Sequence, residues 1–124
     1  KINDDFFLDV FHDQKKSKLR VKKFIKGNKE VTVLLVSSHT FATYAIDACR
    51  ELNREIGREI SLVSFDADVL STFSPHVTTI SQPVDSVTNH LVKLIESKMK
   101  YMEKNYQFLY KPKLIERNSV SNIS

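Results

Sequence analysis

Hydrophobic positions along the chain form short continuous runs separated by longer stripes with helical spacing. Val31–Val36 and Ile60–Phe65 are continuous and rich in β-branched residues, which predicts strands covered on both faces of a sheet. Val77–Ser81 is a shorter β-branched run, and Phe6–Phe11 is an aromatic and aliphatic one. Each of these four runs predicts one strand.

Three stretches between and after the runs predict helices. The first begins at about Gln14 and is capped by Gly27 and Asn28. The second is a stripe closed by Gly57, and Pro83 stands in the first turn of the third. The two stripes are Phe41, Ala45, Ala48, Cys49, Leu52 and Ile56, and Val84, Val87, Leu91, Leu94, Ile95, Met99 and Met102.

The order of strands and helices indicates an α/β fold with a parallel sheet and helices on both of its faces. After a linker at Asn105–Tyr106, the segment 108–115 predicts a last strand, and Pro112 places it at an edge. The length of 124 residues suits one domain. The apolar stripe after Pro83 is long for so small a sheet, which indicates part of a larger α/β protein.

Composition excludes several classes of protein. A hydrophobic fraction of 41% and a charged fraction of 27% are those of a globular chain rather than a disordered one. Val31–Val36, the longest apolar run, is far shorter than the roughly 20 residues of a membrane span. Lys1–Asp5 shows no signal-peptide pattern, and Cys49 has no second cysteine to pair with. We therefore expect a cytoplasmic protein without a membrane partner.

The net charge of +4 comes from one segment. Seven basic residues without an acid lie between Lys15 and Lys26, and the remaining 12 basic and 15 acidic residues give −3. On a helix, most of these lysines oppose the side formed by Ser17, Val21, Phe24 and Ile25. A solvated helix face is the simpler interpretation, and a phosphate-contacting patch is the alternative.

Candidate chemistry follows two predicted strands. Ser37–Thr40 comes after the first covered strand and Asp66–Asp68 after the second, so both loops are expected at the edge where α/β sheets bind ligands. Hydroxyls, an imidazole and a carboxylate suit a small hydroxylated ligand. Alternatively, Ser38 or Thr40 caps the helix, His39 is solvent-exposed, and Asp66 caps the following turn.

Enzyme and cofactor chemistry is not indicated. Ser38, His39 and Asp66 could be read as a hydrolytic triad, but no nucleophile elbow accompanies them. No glycine-rich phosphate loop is present, because the chain has only two glycines. The four histidines show no metal-ligand spacing, and Cys49 lies on an apolar stripe. We expect neither a cofactor nor a metal.

Three blocks of the sequence together resemble the C-terminal end of LacI/GalR-family transcriptional regulators. Glu59–Asp66, Ser74–Pro83 and Leu114–Val120 are similar to the family patterns D-I-S-V-V-G-F-D, P-x-L-T-T-I-x-Q-P and L-I-x-R-x-S, in the family's order and spacing. The segment Val33–Val120 can be laid on the pattern without large gaps. Ser64 stands in place of the usual glycine, and Ala67 in place of a common second acid.

The resemblance implies a periplasmic-binding-protein-like I fold, of which this chain is mainly the C-terminal subdomain. Residues 1–120 would be part of the effector-binding domain, followed by a tail at 121–124. Within it, 1–82 would be the subdomain core, 83–106 a crossover helix that packs on the first subdomain, and 107–120 a returning strand region.

The resemblance also implies a function and a set of site residues. Asp66 matches an aspartate that commonly binds effector hydroxyls, and Ser38 and His39 occupy the place of a frequent Asn-Asp pair. With Phe65 they are the expected effector-binding residues. The effector would be a sugar, a sugar phosphate or a purine. Operator DNA would be bound through a helix-turn-helix domain outside these residues, by a homodimer acting as a repressor.

Two other functions remain open. A fragment of a sugar-binding transport protein would have the same fold, and a secretion signal in the full gene would favour it. A response-regulator receiver domain has a similar length, but its acid pair should follow the first strand, whereas Asp4 and Asp5 precede one. Phosphorylation of Asp66 by acetyl phosphate would favour the receiver domain.

Overall fold

The computed structural model describes residues 7–8, 13–66, 68–70, 72, 75–100 and 107–121. Its elements follow one another as strand and helix in the predicted alternation. They are α1 Gln14–Gly27, β1 Val33–Val36, α2 His39–Glu51, β2 Ser61–Phe65, a 3₁₀ turn Asp68–Leu70, β3 Thr78–Ser81, α3 Val84–Lys100 and β4 Lys113–Ile115.

The four described strands form one sheet in the order β1-β2-β3-β4. β1, β2 and β3 are parallel, and β4 is antiparallel to β3. The α/β class is therefore confirmed, with a mixed rather than wholly parallel sheet. β4 follows Pro112 and lies at an edge, as predicted. The predicted strand Phe6–Phe11 lies outside the described residues except for Phe7 and Leu8, which are not in a strand.

Helices α1 and α2 pack on each other, and α2 packs on β1 and β2. The shared core contains Ile25 of α1, Ala45 and Cys49 of α2, and Ile60 and Leu62 at β2. All five are at most 1% exposed, so this apolar layer excludes water and fixes the face of the sheet on which the helices lie.

The prediction that β1 is covered on both faces is wrong for the described structure. Leu34 and Val36 pack against the core, whereas Val33 is 55% and Leu35 is 65% exposed. Successive side chains of a strand point to opposite faces, and α1 and α2 cover only the face that carries Leu34. The continuous apolar run therefore leaves an apolar strip on the other face of the sheet.

Helix α2 ends at Glu51, five residues before the end of its predicted stripe. Leu52 caps it, Asn53 has φ +53°, and the Arg54 amide donates to the Cys49 carbonyl at 2.9 Å. Ile56 instead forms an isolated backbone bridge with Ile60, and its side chain packs against the core from outside the helix. The prediction that Gly57 closes the helix is therefore wrong, because Gly57 lies in the turn of that bridge.

The other predicted helix limits agree with the structure. α1 begins after Asp13, whose carboxylate accepts from the Lys16 amide at 3.1 Å, and is capped by Asn28. α3 begins directly after Pro83. The linker Asn105–Tyr106, Met102 and the side chain of Met99 lie outside the described residues. None of the helices in the described part of the chain combines the length and apolarity needed to cross a membrane.

Cys49 is expected to resist alkylation as long as the protein is folded. Its side chain is 1% exposed, and burial raises the pKa of the thiol to about 11. Because the thiolate is the reactive form, iodoacetamide at pH 8 should modify Cys49 only after unfolding in guanidinium chloride. Peptide mass spectrometry with and without denaturant measures this. Rapid modification of the native protein would contradict the buried placement of the α2 stripe.

Candidate functional site

The loops that carry the candidate residues lie at one edge of the sheet. β1 and β2 are parallel neighbours in which Val36 pairs with Ser64, so both strands end at the same edge. Ser38 and His39 follow β1, and Asp66 follows β2. The sequence-based placement of both loops at the carboxyl edge of the strands is thus confirmed, and this is the edge where open α/β sheets bind ligands.

Ser38 is the N-cap of α2. Its extended backbone, φ −160° and ψ 162°, and its half-buried hydroxyl, which accepts from the Phe41 amide at 3.5 Å, are those of a cap. His39 is the first residue of α2 and is exposed. The structure therefore agrees with the alternative interpretations of both residues: Ser38 caps the helix, and His39 is exposed to solvent.

Asp66 is held in an unusual backbone conformation at the end of β2. Its φ is +49°, a left-handed value that aspartate tolerates better than most residues, and its amide donates to the Ile80 carbonyl at 3.1 Å. One carboxylate oxygen, Oδ1, accepts from the Gln82 amide at 3.1 Å, and the other, Oδ2, accepts from Gln82 Nε2. The carboxylate is thereby tied to the segment that leads into α3.

Phe65 directly precedes Asp66 in the chain. It is the last residue of β2, pairs with Ile80 of β3, and is 36% exposed. Part of its aromatic ring is therefore accessible at the end of β2. An apolar surface next to charged acceptors is a usual feature of sites for small polar ligands.

A second carboxylate at this edge belongs to an internal ion pair that the sequence analysis missed. Asp68 accepts from Arg117 Nη2 at 2.9 Å and from the Ser81 hydroxyl at 2.8 Å. Arg117 Nη1 also donates to the Val77 carbonyl at 2.6 Å. The hydrogen bonds from Arg117 and Ser81 hold the pKa of Asp68 below its usual value, so Asp68 is ionised and already paired at neutral pH.

The arrangement does not suit a hydrolytic triad. The Ser38 hydroxyl accepts from its own helix, and the Asp66 carboxylate accepts from Gln82 rather than from an imidazole. A triad needs its nucleophile, base and carboxylate joined by hydrogen bonds. Within the residues that the structure describes, no three His, Cys, Asp or Glu side chains come together as a metal site.

A cavity of about 630 Å³ lies away from the candidate residues. Its walls come from α1, β1, α2 and the segment Phe7–Leu8, and they are mostly apolar. Ser37 lines it, whereas Ser38, His39, Phe65 and Asp66 are not among its walls. The candidate residues therefore form an open edge of the sheet and do not line this cavity.

The basic helix α1 directs part of its charge at the neighbouring helix. Lys18 pairs with Asp47 of α2 at 3.0 Å, and Lys22 pairs with Glu51. The hydrogen bond that Lys18 donates to Asp47 raises the pKa of Lys18. These pairs favour the interpretation of α1 as a solvated helix face over that of a phosphate-contacting patch.

Comparison with known proteins identifies the family of this domain. The family model described as "Periplasmic binding protein-like domain" matches residues 12–120. The HTH-type transcriptional regulator MalR of Clostridium butyricum is 28% identical over 98% of this chain, and RegA of Clostridium saccharobutylicum is 33% identical over 80% of it. The chain spans 37% and 30% of those two proteins, about a third of their length.

Solved structures show the same fold. The complex of the transcriptional regulator CelR with cellobiose superposes with a TM-score of 0.84 over 96% of this chain and 37% of that protein, at 13% identity. The curated relatives are HTH-type transcriptional regulators, and because the family match covers most of the chain, the chain belongs to the periplasmic binding protein-like domain family.

Proposed function

We propose that these residues are the ligand-sensing region of a LacI-type DNA-binding repressor that responds to a sugar or another small effector. The observation that carries the proposal is the Asp66 carboxylate at the carboxyl edge of β2, next to the loop that holds Ser38 and His39. A carboxylate is a strong acceptor for adjacent hydroxyls, and the Ser38 hydroxyl and the His39 ring add further hydrogen-bonding groups.

This chemistry and the ligands of structurally similar proteins both favour a sugar as the effector. Regulators of the same fold have been solved with ribose, cellobiose and lactose. Each of these sugars presents adjacent hydroxyls, which an ionised carboxylate can accept in pairs. A sugar phosphate or a purine is the alternative effector.

The remaining part of the sensor would lie against α3. Val84, Leu91 and Ile95 of α3 are each more than half exposed, although they form one apolar stripe. Such a stripe indicates a helix that packs on something outside these residues. We assign it to the first subdomain of the complete effector domain, with 1–82 as the core of the second subdomain and 107–120 as the returning segment.

The returning segment meets α3 through an aromatic contact. The His90 ring stacks on Phe108 with 4.5 Å between ring centroids, and His90 Nδ1 lies 2.5 Å from the Tyr110 hydroxyl. This contact ties the crossover helix to the segment that leads into β4, so movement of α3 would also move that segment.

The mechanism that follows is allosteric. An effector bound between two subdomains favours one relative orientation of the subdomains, by as much as its affinities for the two orientations differ. In a homodimer, that orientation would set the separation of two helix-turn-helix units, which must match half-sites about one DNA turn apart. Such a protein acts on DNA in the cytoplasm.

A sugar-binding transport protein of the same fold is the second candidate. The curated relatives favour the regulator, since both MalR and RegA are named HTH-type transcriptional regulators. The start of the complete gene separates the two: a helix-turn-helix segment supports the regulator, and a secretion signal supports the transport protein.

Asp66→Asn is expected to weaken effector binding by about 10–100-fold, because it removes a charge-assisted hydrogen bond to ligand hydroxyls. Asparagine also tolerates the left-handed φ of position 66, so the fold is retained better than with alanine. The measurement is calorimetric titration of the complete gene product with ribose, cellobiose, lactose, glucose 6-phosphate and hypoxanthine. A compound that binds should also change the affinity for DNA from upstream of the gene.

The matched control is Asp85→Asn, which neutralises an exposed aspartate in the first turn of α3. It should leave the affinity for the effector within about twofold of the parent, because its charge is solvated. Equal affinities of the parent and Asp66→Asn for the bound compound would defeat the assignment of Asp66.

A further inference from the structure

We infer that Gln82 is a positioning residue for Asp66, which it orients for effector binding and connects to α3. This inference rests on the proposed function. Gln82 contacts both oxygens of the carboxylate: its amide donates to Oδ1 at 3.1 Å, and its side-chain Nε2 donates to Oδ2. The two residues are 16 positions apart and meet because β2 and β3 are parallel neighbours.

The backbone contacts of Asp66 fix its main chain but not the rotation of its carboxylate. The left-handed φ and the hydrogen bond from its amide to the Ile80 carbonyl set the direction of the Cα–Cβ bond. The carboxylate could still rotate at the open edge of the sheet, where Asp66 is only half-buried. The two donors of Gln82 remove that freedom, so the carboxylate does not have to be ordered when a ligand arrives.

Gln82 leaves room for a ligand on the same carboxylate. An ionised carboxylate has about four lone-pair positions, and Gln82 uses one on each oxygen. The remaining positions can accept two hydroxyls of a sugar. Gln82 therefore orients the acceptor without competing for all of it.

The same residue stands at the start of α3. Gln82 directly precedes Pro83, and its carbonyl accepts from the Val84 amide at 2.9 Å. A ligand that displaces the Asp66 carboxylate would therefore also displace Gln82. Gln82 leads into α3, the helix that carries the exposed apolar stripe. This gives the effector site a short connection to the crossover helix.

Gln82→Met in the complete gene product tests the positioning role, because methionine keeps the length of the side chain and removes its donor. Affinity for whichever of ribose, cellobiose and lactose the parent binds should fall by about 3–10-fold, the cost of ordering one freed side chain on binding. The matched control is Ser81→Ala, which removes the neighbouring hydrogen bond to Asp68 instead. It should leave the affinity within about twofold.

A double-mutant cycle with Asp66→Asn separates positioning from a general structural effect. If Gln82 acts through Asp66, the double variant binds the sugar no more weakly than Asp66→Asn alone. Additive losses, or a Gln82→Met variant with parental affinity, would overturn the inference while the proposed function stands. A parent protein that binds none of the three sugars, glucose 6-phosphate or hypoxanthine would overturn both.

Discussion

Gly57→Ala is expected to lower the free energy of unfolding by about 2–5 kcal/mol, the sum of a left-handed backbone penalty and an overpacked contact. Gly57 has φ +84°, where a side chain is disfavoured. A Cβ built at this position lies 2.3 Å from the backbone carbonyl oxygen of Asn118, so the backbone of one of the two segments must shift. Urea unfolding of the purified protein, followed by circular dichroism, measures the change.

The chain offers a matched control in its other glycine. A Cβ built on Gly27, the last residue of α1, meets no heavy atom within 4 Å. Gly27→Ala is therefore expected to be neutral or to stabilise the protein by up to about 1 kcal/mol, since alanine has the higher helix propensity. Equal effects of the two substitutions would show that the turn at 56–60 does not rest on the 117–120 segment as described.

The close approach at Gly57 also shows where the sequence pattern misleads. The apolar stripe of α2 extends to Ile56 with helical spacing, and glycine is a common residue after a helix end. The helix nevertheless stops at Glu51, because Asn53 adopts a left-handed conformation and Ile56 pairs with Ile60 in a bridge. Apolar spacing reports which residues are buried, and it cannot tell a last helical turn from a loop that packs on the same core.

The pattern of hydrophobic residues predicted that the strands exist better than it predicted which of their faces are covered. β1 and β2 are both continuous apolar runs, yet Leu35 of β1 is 65% exposed whereas Val63, its partner in β2, is half-buried. The difference lies in position, because β2 is an interior strand of the described sheet and β1 is at its edge. Strand order depends on contacts between distant segments, which a single run of residues does not contain.

In the candidate site, too, the sequence predicted the position of one residue but not its contacts with distant segments. Asp66 could be placed at the carboxyl edge because it directly follows a predicted strand. Its partner Gln82 and the Asp68–Arg117 ion pair could not, since these contacts join residues 16 and 49 positions apart. The left-handed φ of Asp66 decides which way its side chain points, and no residue pattern specified it.

The block Leu114–Val120, which carries part of the family resemblance, has a structural role that explains its serine. Ser119 is fully buried, and its hydroxyl donates to the Leu62 carbonyl at 2.6 Å and accepts from the Thr78 amide at 2.7 Å. Its own carbonyl accepts from the Leu62 amide at 2.8 Å. One residue thus joins the beginnings of β2 and β3.

Ser119→Ala is expected to lower the free energy of unfolding by about 2–4 kcal/mol, because it leaves a buried amide and a buried carbonyl each without this partner. The measurement is urea unfolding, and Ser97→Ala provides the comparison. The Ser97 hydroxyl donates to the Leu94 carbonyl within α3 and is only half-buried, so its loss should change stability by about 0.5 kcal/mol or less.

Ligand affinity should separate Ser119 from Asp66. Ser119 joins the amino ends of β2 and β3, whereas the candidate site lies at their carboxyl ends. If its role is structural, Ser119→Ala should lower stability while sugar affinity, measured well below the unfolding transition, stays within about twofold of the parent. A loss of affinity as large as that of Asp66→Asn, without a loss of stability, would instead place Ser119 in the effector site.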